Sequence, residues 1–293
     1  MSFHSFLTNS LRPAVHRYPQ FKNTLLSAQL NLERVEHVVG AHWPTSIRPK
    51  PRKIIVAVTA QCNLRCIGCR YGRDFMVGSQ LPLHMVKELL TDAREGGVET
   101  ARLYGGEPLL HKDLPQMIRH AVSLGMSTYI TTNGTLLERR IGELYDAGLR
   151  NMSIGYYGTG HTYDEYVQQK SRFALLGQGV AAVRDRYGSA VSMQLNFLLM
   201  RPSCSLEALH DAWSFAGRYG MSFRTDLIHY SLPYFTEGPE NMLQFKPGDR
   251  ARIEEVVREL DHRSLNSYTM IVSSILYFQR NTTGAALISS KYW

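Results

Sequence analysis

Between Lys53 and His262 the chain repeats one pattern six times: a short apolar, often β-branched run, then a longer stretch whose apolar residues recur at helical spacing. A buried strand reads as a continuous apolar run and an amphipathic helix as an i, i+3, i+4 stripe. The pattern predicts strands over Lys53–Val58, Thr100–Tyr104, Ser127–Thr131, Asn151–Tyr156, Val191–Met200 and Phe223–His229. It predicts helices over Leu83–Glu95, from about Asp113 to Leu124, and over Leu137–Ala147, Phe173–Tyr187, Leu206–Tyr219 and Arg250–His262. All but the last of these run into a glycine, the commonest helix stop. Alternation of this kind demands parallel strands joined by right-handed helical crossovers. The choices are a doubly wound open sheet or a barrel, full or partial, and six units are too few for the usual eight-stranded barrel.

The flanks read differently. Residues 1–50 form an N-terminal helical leader and linker, with a helix expected across Asn23–Val39 and a break at Ser46–Lys53, where prolines alternate with basic residues. Residues 51–263 form the core. Residues 264–293 form a tail in which Ser267–Phe278 is apolar enough for a closing helix or strand. With 293 residues, 44% of them hydrophobic and 20% charged, the chain can bury a sizeable core without disulfides, and 10% aromatics excludes disorder. No apolar run approaches the roughly 20 residues of a membrane span, so no membrane partner is expected. The first residues also lack the apolar core of a secretion signal, which points to the cytoplasm. The net charge of +8 permits an anionic partner without demanding one, and nucleic acid is not expected.

In a parallel sheet, chemistry gathers at the C-terminal ends of the strands. Four unusual segments fall there: the cysteine cluster after the first strand, Gly105-Gly106-Glu107 after the second, Thr132-Asn133-Gly134 after the third and Tyr157-Gly158 after the fourth. Three of the four cysteines, Cys62, Cys66 and Cys69, lie within eight residues. A disulfide framework would spread them more evenly, so a metal or redox centre is indicated. Zinc would want a fourth ligand, and no cysteine or histidine stands at finger spacing. An iron–sulfur cube usually takes four cysteines, so one held by three keeps an iron open for a substrate or cofactor. A non-catalytic zinc or nucleic-acid-binding module, with the cysteines as a structural clip, is the alternative.

The segment Val58-Thr-Ala-Gln-Cys62-Asn-Leu-Arg-Cys66-Ile-Gly-Cys69 resembles the signature loop of the radical S-adenosylmethionine (radical SAM) enzymes. Tyr104-Gly-Gly-Glu-Pro108 is similar to that family's second motif, and Thr131-Thr-Asn-Gly134 matches its common pattern after the third strand. The resemblance covers about residues 53–235 and implies an α/β fold, a partial (β/α)6 barrel of the radical SAM type. It implies a [4Fe–4S] cluster on Cys62, Cys66 and Cys69, with the open iron chelated by the methionine part of SAM. Gly105, Gly106 and Glu107 would meet the methionine amino group, the glycines letting backbone carbonyls approach closely. By the same resemblance Asn133 would be a further cofactor contact, Ser153 would lie near the ribose and carboxylate, and Asn196 would bind the carboxylate if it points inward.

Two positions depart from the family pattern. Ser153-Ile154-Gly155-Tyr156 stands where relatives often read Ser-x-Asp-Gly, and Gly68 stands where many carry an aromatic residue, for which Tyr71 is a substitute ring. Tyr156 and Tyr157 are candidates for stacking on adenine or substrate. The implied chemistry is reductive cleavage of SAM to a 5′-deoxyadenosyl radical that takes hydrogen from a peptide, sugar or small metabolite. An electron donor such as a flavodoxin or ferredoxin is the implied partner. Asp226 and His229, after the sixth strand, are expected to bind or deprotonate substrate, and Cys204 to return a hydrogen atom to a product radical. Many relatives with this Gly-Gly-Glu-Pro form carry a cysteine-rich C-terminal extension, whereas this sequence has no cysteine after Cys204.

Overall fold

The computed structural model describes residues 51–71, 76–227 and 242–263, together with Val39, His42 and Trp43. Six strands, β1 (Lys53–Thr59), β2 (Thr100–Gly105), β3 (Ser127–Thr132), β4 (Asn151–Tyr156), β5 (Ser192–Leu199) and β6 (Ser222–Leu227), alternate with helices. The helices are α1 (Leu83–Glu95), α2 (Leu114–Ser123), α3 (Leu137–Asp146), α4 (His161–Tyr166), α5 (Arg172–Tyr187), α6 (Leu206–Arg218) and α7 (Arg250–Arg263). The strands pair in the order β1-β2-β3-β4-β5-β6, every neighbour parallel. A doubly wound sheet reverses its strand order at a switch point. This one never does, so it is the partial (β/α)6 barrel. Among the described residues no helix is long and apolar enough to cross a membrane.

Continuous apolar runs predict strands buried on both faces, and these strands are not. On β2 to β5 the residues facing the helices are buried, among them Leu103, Ile130, Ile154, Leu195 and Phe197. Their neighbours Arg102, Tyr129, Ser153, Gln194 and Asn196 are only half-buried. The apolar runs therefore alternate between a packed outer face and a polar inner one, as a barrel that keeps room for a ligand must.

Helix ends follow local chemistry. Gly125 and Gly148 adopt φ of 71° and 101° past α2 and α3, a conformation other residues enter only with strain. Asp113 holds the N-cap position of α2 but its side chain makes no capping bond. Ser205 caps α6 through a 3.1 Å bond from the Ala208 amide. Helix α4 has no counterpart among the predicted elements, because six residues are too few to show a period. Its Asp164 carboxylate accepts from the amides of Arg172 and Phe173, both at 2.8 Å, and so caps α5 from outside.

Residues Lys50–Val256 form one compact unit, and Met1–Pro49 with Val257–Trp293 form a second. In the second, Val39 is helical and its carbonyl accepts from the Trp43 amide at 2.7 Å. The rest of the leader helix expected over Asn23–Val39 and the apolar segment Ser267–Phe278 lie outside the described residues.

Candidate active site

The cysteine loop is strapped on two sides. Its Asn63 side chain donates to Thr135 Oγ1 and accepts from Asn133 Nδ2, both at 2.9 Å. On the other side Gln169 Nε2 donates to the Asn63 carbonyl at 2.9 Å, while the amides of Arg65 and Ile67 donate to the carbonyls of Val167 and Tyr166 at the end of α4. Leu64 anchors the loop in the core at 4% exposure. Cys62 is exposed, and Cys66 and Cys69 are half-buried. Although the residue as a whole is exposed, desolvation of its sulfur by the surrounding protein, with smaller contributions from the nearby Glu107 and Cys69, pushes the Cys62 thiol up to about 11. Among the described residues no three Cys, His, Asp or Glu side chains gather at the spacing of a single metal ion. Thiolates that hold a cube need not do so, because each binds a different iron. Gly68 takes φ of 79°, which accounts for glycine where relatives place a ring: an L side chain would be strained there.

The Gly-Gly-Glu turn packs directly on this loop. A Cβ at Gly105 would stand 2.1 Å from the Thr59 carbonyl oxygen, and one at Gly106 2.3 Å from that of Gln61. The glycines are thus required by contact between the end of β2 and the entry to the cysteine loop, a role the sequence did not reveal. Glu107 is fully buried. Its carboxylate accepts from the Leu109 amide at 3.0 Å, and from Thr132 Oγ1 and the Asn133 amide at 2.7 Å each. The Glu107 carbonyl accepts from the Leu110 amide. Glu107 therefore braces β2 against the end of β3, and its carboxylate is spent on protein donors rather than turned toward a ligand. Asn133 is similarly engaged: Oδ1 accepts from the amide and hydroxyl of Thr135, and Nδ2 donates to Asn63. Both expected cofactor contacts hold the loops that carry the cysteines.

Burial pushes Glu107 up to about 7 despite its three donors and the charge of Arg140. A carboxyl with a raised value binds its proton more tightly when folded, so its contribution is intact below the ordinary value of 4.5 and is lost as pH climbs to about 7. Chemical denaturation is expected to show stability falling by ~3 kcal/mol across that window and levelling above it. Glu107→Gln should flatten this fall, and an equally steep fall in the variant would assign the dependence elsewhere.

The inner face supplies the rest of the rim. Register places Ser153 between Thr131 and Gln194, and Asn196 between Gly155 and Arg224. The Asn196 Oδ1 atom is buried with no hydrogen-bond partner. An orphaned amide oxygen costs ~1–3 kcal/mol, a cost that any donor placed beside it would relieve. Deeper in the barrel, Arg102 donates to Thr131 Oγ1 at 2.9 Å and lies over the rings of Tyr104 and Tyr129. Asp226 is ion-paired with Arg224 at 2.8 Å. His229 lies outside the described residues. Cys204 is a correction: it is wholly buried, near Asp249 and Arg252, and burial pushes its thiol up to about 11. A thiol with no exposed surface packs the core and does not reach a substrate radical. Sequence reasoning also missed Asn63 and Gln169, whose partners lie far along the chain.

Comparison with known proteins bears on this arrangement. Residues 56–193 match the family model described as the Radical SAM superfamily. The chain is 32% identical over 149 residues to an Fe-coproporphyrin III synthase of Methanosarcina barkeri, covering 50% of this chain and 37% of that one. It is 33% identical over 150 residues to a GTP 3′,8-cyclase of Chlorobaculum tepidum, covering 50% and 44%. The chain thus spans less than half the length of these relatives. SuiB of Streptococcus suis shares the fold, with a TM-score of 0.59 both bound to S-adenosylmethionine and bound to its precursor peptide SuiA. The SAM-bound form is 16% identical and is matched over 88% of this chain and 60% of SuiB. With the parallel barrel, the strapped cysteine loop and the glycine turn seated on it, the family match places residues 56–193 in the Radical SAM superfamily.

Proposed function

We propose that the chain is a radical SAM enzyme in which Cys62, Cys66 and Cys69 hold a [4Fe–4S] cluster and the inner face of the barrel holds SAM and substrate. The observation that carries this is the bracing of the cysteine loop by Asn63, Asn133 and Gln169, beside a turn whose glycines cannot be replaced without moving that loop. Three soft thiols on one loop suit iron–sulfur chemistry. The unpartnered oxygen of Asn196 suits the ammonium or hydroxyl donors of SAM. When bound and reduced, the cluster supplies one-electron cleavage of SAM to methionine and a 5′-deoxyadenosyl radical. The chain's own residues do the remaining work. Asn63, Asn133 and Glu107 fix the loops, Asn196 and Ser153 orient the cofactor, and the inner face with Arg102, Tyr104 and Tyr129 seats the substrate. The electron comes from a flavodoxin or ferredoxin in the cytoplasm.

The test is anaerobic reconstitution followed by iron and sulfide analysis, then incubation with dithionite and SAM. Brown protein that releases 5′-deoxyadenosine and methionine is expected. A protein that holds iron and sulfide but never cleaves SAM, or that binds one zinc and no sulfide, would overturn the proposal.

Asn196→Leu offers a sharper check. Removing the orphaned oxygen is expected to stabilise the apo-protein by ~1 kcal/mol and, by removing a bond to a charged ligand, to weaken SAM binding about tenfold. Thermal unfolding and calorimetric titration measure the two. Unchanged SAM affinity would remove Asn196 from the cofactor site.

A further inference from the structure

Tyr156 and Tyr157 are adjacent in sequence but part company in the fold. Tyr156 is fully buried on the helix side of the sheet, its hydroxyl 2.7 Å from Thr159 Oγ1 and its ring against Phe173, Phe197 and Phe215. It is a core residue with no solvent-exposed surface. Tyr157 is half-buried and turns back along β4. Its hydroxyl oxygen lies 2.5 Å from the point where a Cβ on Gly155 would stand, so it occupies the space of the side chain that position lacks.

That space has a defined setting. Gly155 pairs in register with Asn196, whose amide oxygen is unpartnered. The Tyr157 side chain packs on Tyr166, whose carbonyl accepts from the Ile67 amide of the cysteine loop at 2.8 Å. Its ring packs on Tyr166 and Tyr163 with centroids 4.6 and 5.6 Å away. A phenol O–H therefore stands between the cysteine loop and the inner-face row marked by Asn196.

We propose that Tyr157 is the hydrogen-atom donor that quenches the adenosyl radical when no substrate is seated, an inference that rests on the radical SAM reading above. The Tyr157 O–H bond breaks homolytically, and the hydrogen atom forms a C–H bond at the 5′ carbon. The products are 5′-deoxyadenosine and a phenoxyl radical on Tyr157. The transfer runs downhill, because the phenoxyl radical is delocalised over its ring and a primary alkyl radical is not. One electron from the reductant that serves the cluster, with one proton from solvent, restores the phenol. The neighbouring rings of Tyr163 and Tyr166 exclude water from one side of the phenol and hold its orientation.

The experiment uses the reconstituted full chain with SAM and dithionite, without substrate, in D2O. A phenolic hydrogen exchanges with solvent and the carbon-bound hydrogens of a substrate do not. Wild-type protein is therefore expected to yield 5′-deoxyadenosine carrying one added deuterium by mass spectrometry. In Tyr157→Phe, which keeps the ring and removes only the donor, the labelled fraction of whatever 5′-deoxyadenosine forms should drop several-fold. Gly155→Ala, which displaces the phenol without deleting it, should lower it as well. Freeze-quenched wild-type samples should show a tyrosyl radical by electron paramagnetic resonance, its hyperfine structure collapsing in protein grown on ring-deuterated tyrosine. Unlabelled product from wild type, or equal labelling in Tyr157→Phe, overturns the assignment of Tyr157 alone. Absence of 5′-deoxyadenosine altogether overturns both it and the enzymatic reading.

Discussion

Cys66→Ser is expected to give a folded, colourless protein that retains no stoichiometric iron after reconstitution and releases no 5′-deoxyadenosine. Serine replaces a soft thiolate by a hydroxyl that stays protonated and binds iron poorly, and the loop has no spare sulfur to substitute. The fold should survive, because Cys66 is only half-buried and Asn63, Arg65 and Ile67 supply straps that the substitution leaves in place. Cys204→Ala provides the contrast. It removes a wholly buried side chain, so it should lower stability by about 1–3 kcal/mol while leaving iron content unchanged. Iron analysis, absorbance and thermal unfolding of the two variants measure this. Full iron in Cys66→Ser, or iron loss in Cys204→Ala, would reverse the roles given to these cysteines.

Gly105→Ala should be the most damaging single methyl in the described core. The residue has φ of 141°, and the added carbon would meet the Thr59 carbonyl oxygen at 2.1 Å and two further Thr59 backbone atoms at 3.1 and 3.2 Å. Backbone cannot rotate away as a side-chain tip can, so β2 must part from the chain that leads into the cysteine loop. Backbone strain and overpacking together cost about 3–5 kcal/mol. Cluster uptake should fall with stability, because the amides of Gly106 and Glu107 hold the same loop by hydrogen bonds donated to the Thr59 and Gln61 carbonyls. Gly125→Ala is the control: φ is 71° but open space surrounds the site, so only the conformational cost of about 1–2 kcal/mol applies. Denaturation midpoints and iron per chain for the two variants test this. Equal losses would mean that the contact with Thr59 is without weight.

Much of the site was legible as an arrangement of loops and little of it as contacts. The apolar runs and glycine stops placed each strand to within a residue or two, and the last two residues of the expected sixth strand lie outside the described residues. They also brought the cysteine loop, the glycine turn, the Asn133 turn and the Tyr157 loop to one rim. What they could not show is which way each side chain turns. Glu107 and Asn133 were expected at the cofactor and instead brace the loops, through bonds that span Glu107 to Asn133 and Asn133 to Asn63. Gln169, which holds the Asn63 carbonyl, had no local signal at all, since its partner lies 106 residues away. Cys204 looked available after the fifth strand and proved to be core.

The sequence by itself determined the order of strands and helices and the rim at which chemistry gathers, because periodicity and turn residues act over a few neighbours at a time. Only the tertiary structure decided that the strands keep a polar inner face, that Gly105 and Gly106 are needed for backbone contact with Thr59 and Gln61, and that Tyr157 and not Tyr156 stands at the rim. Those outcomes depend on which distant segments come to lie against each residue, and close packing between them leaves each side chain one direction to take.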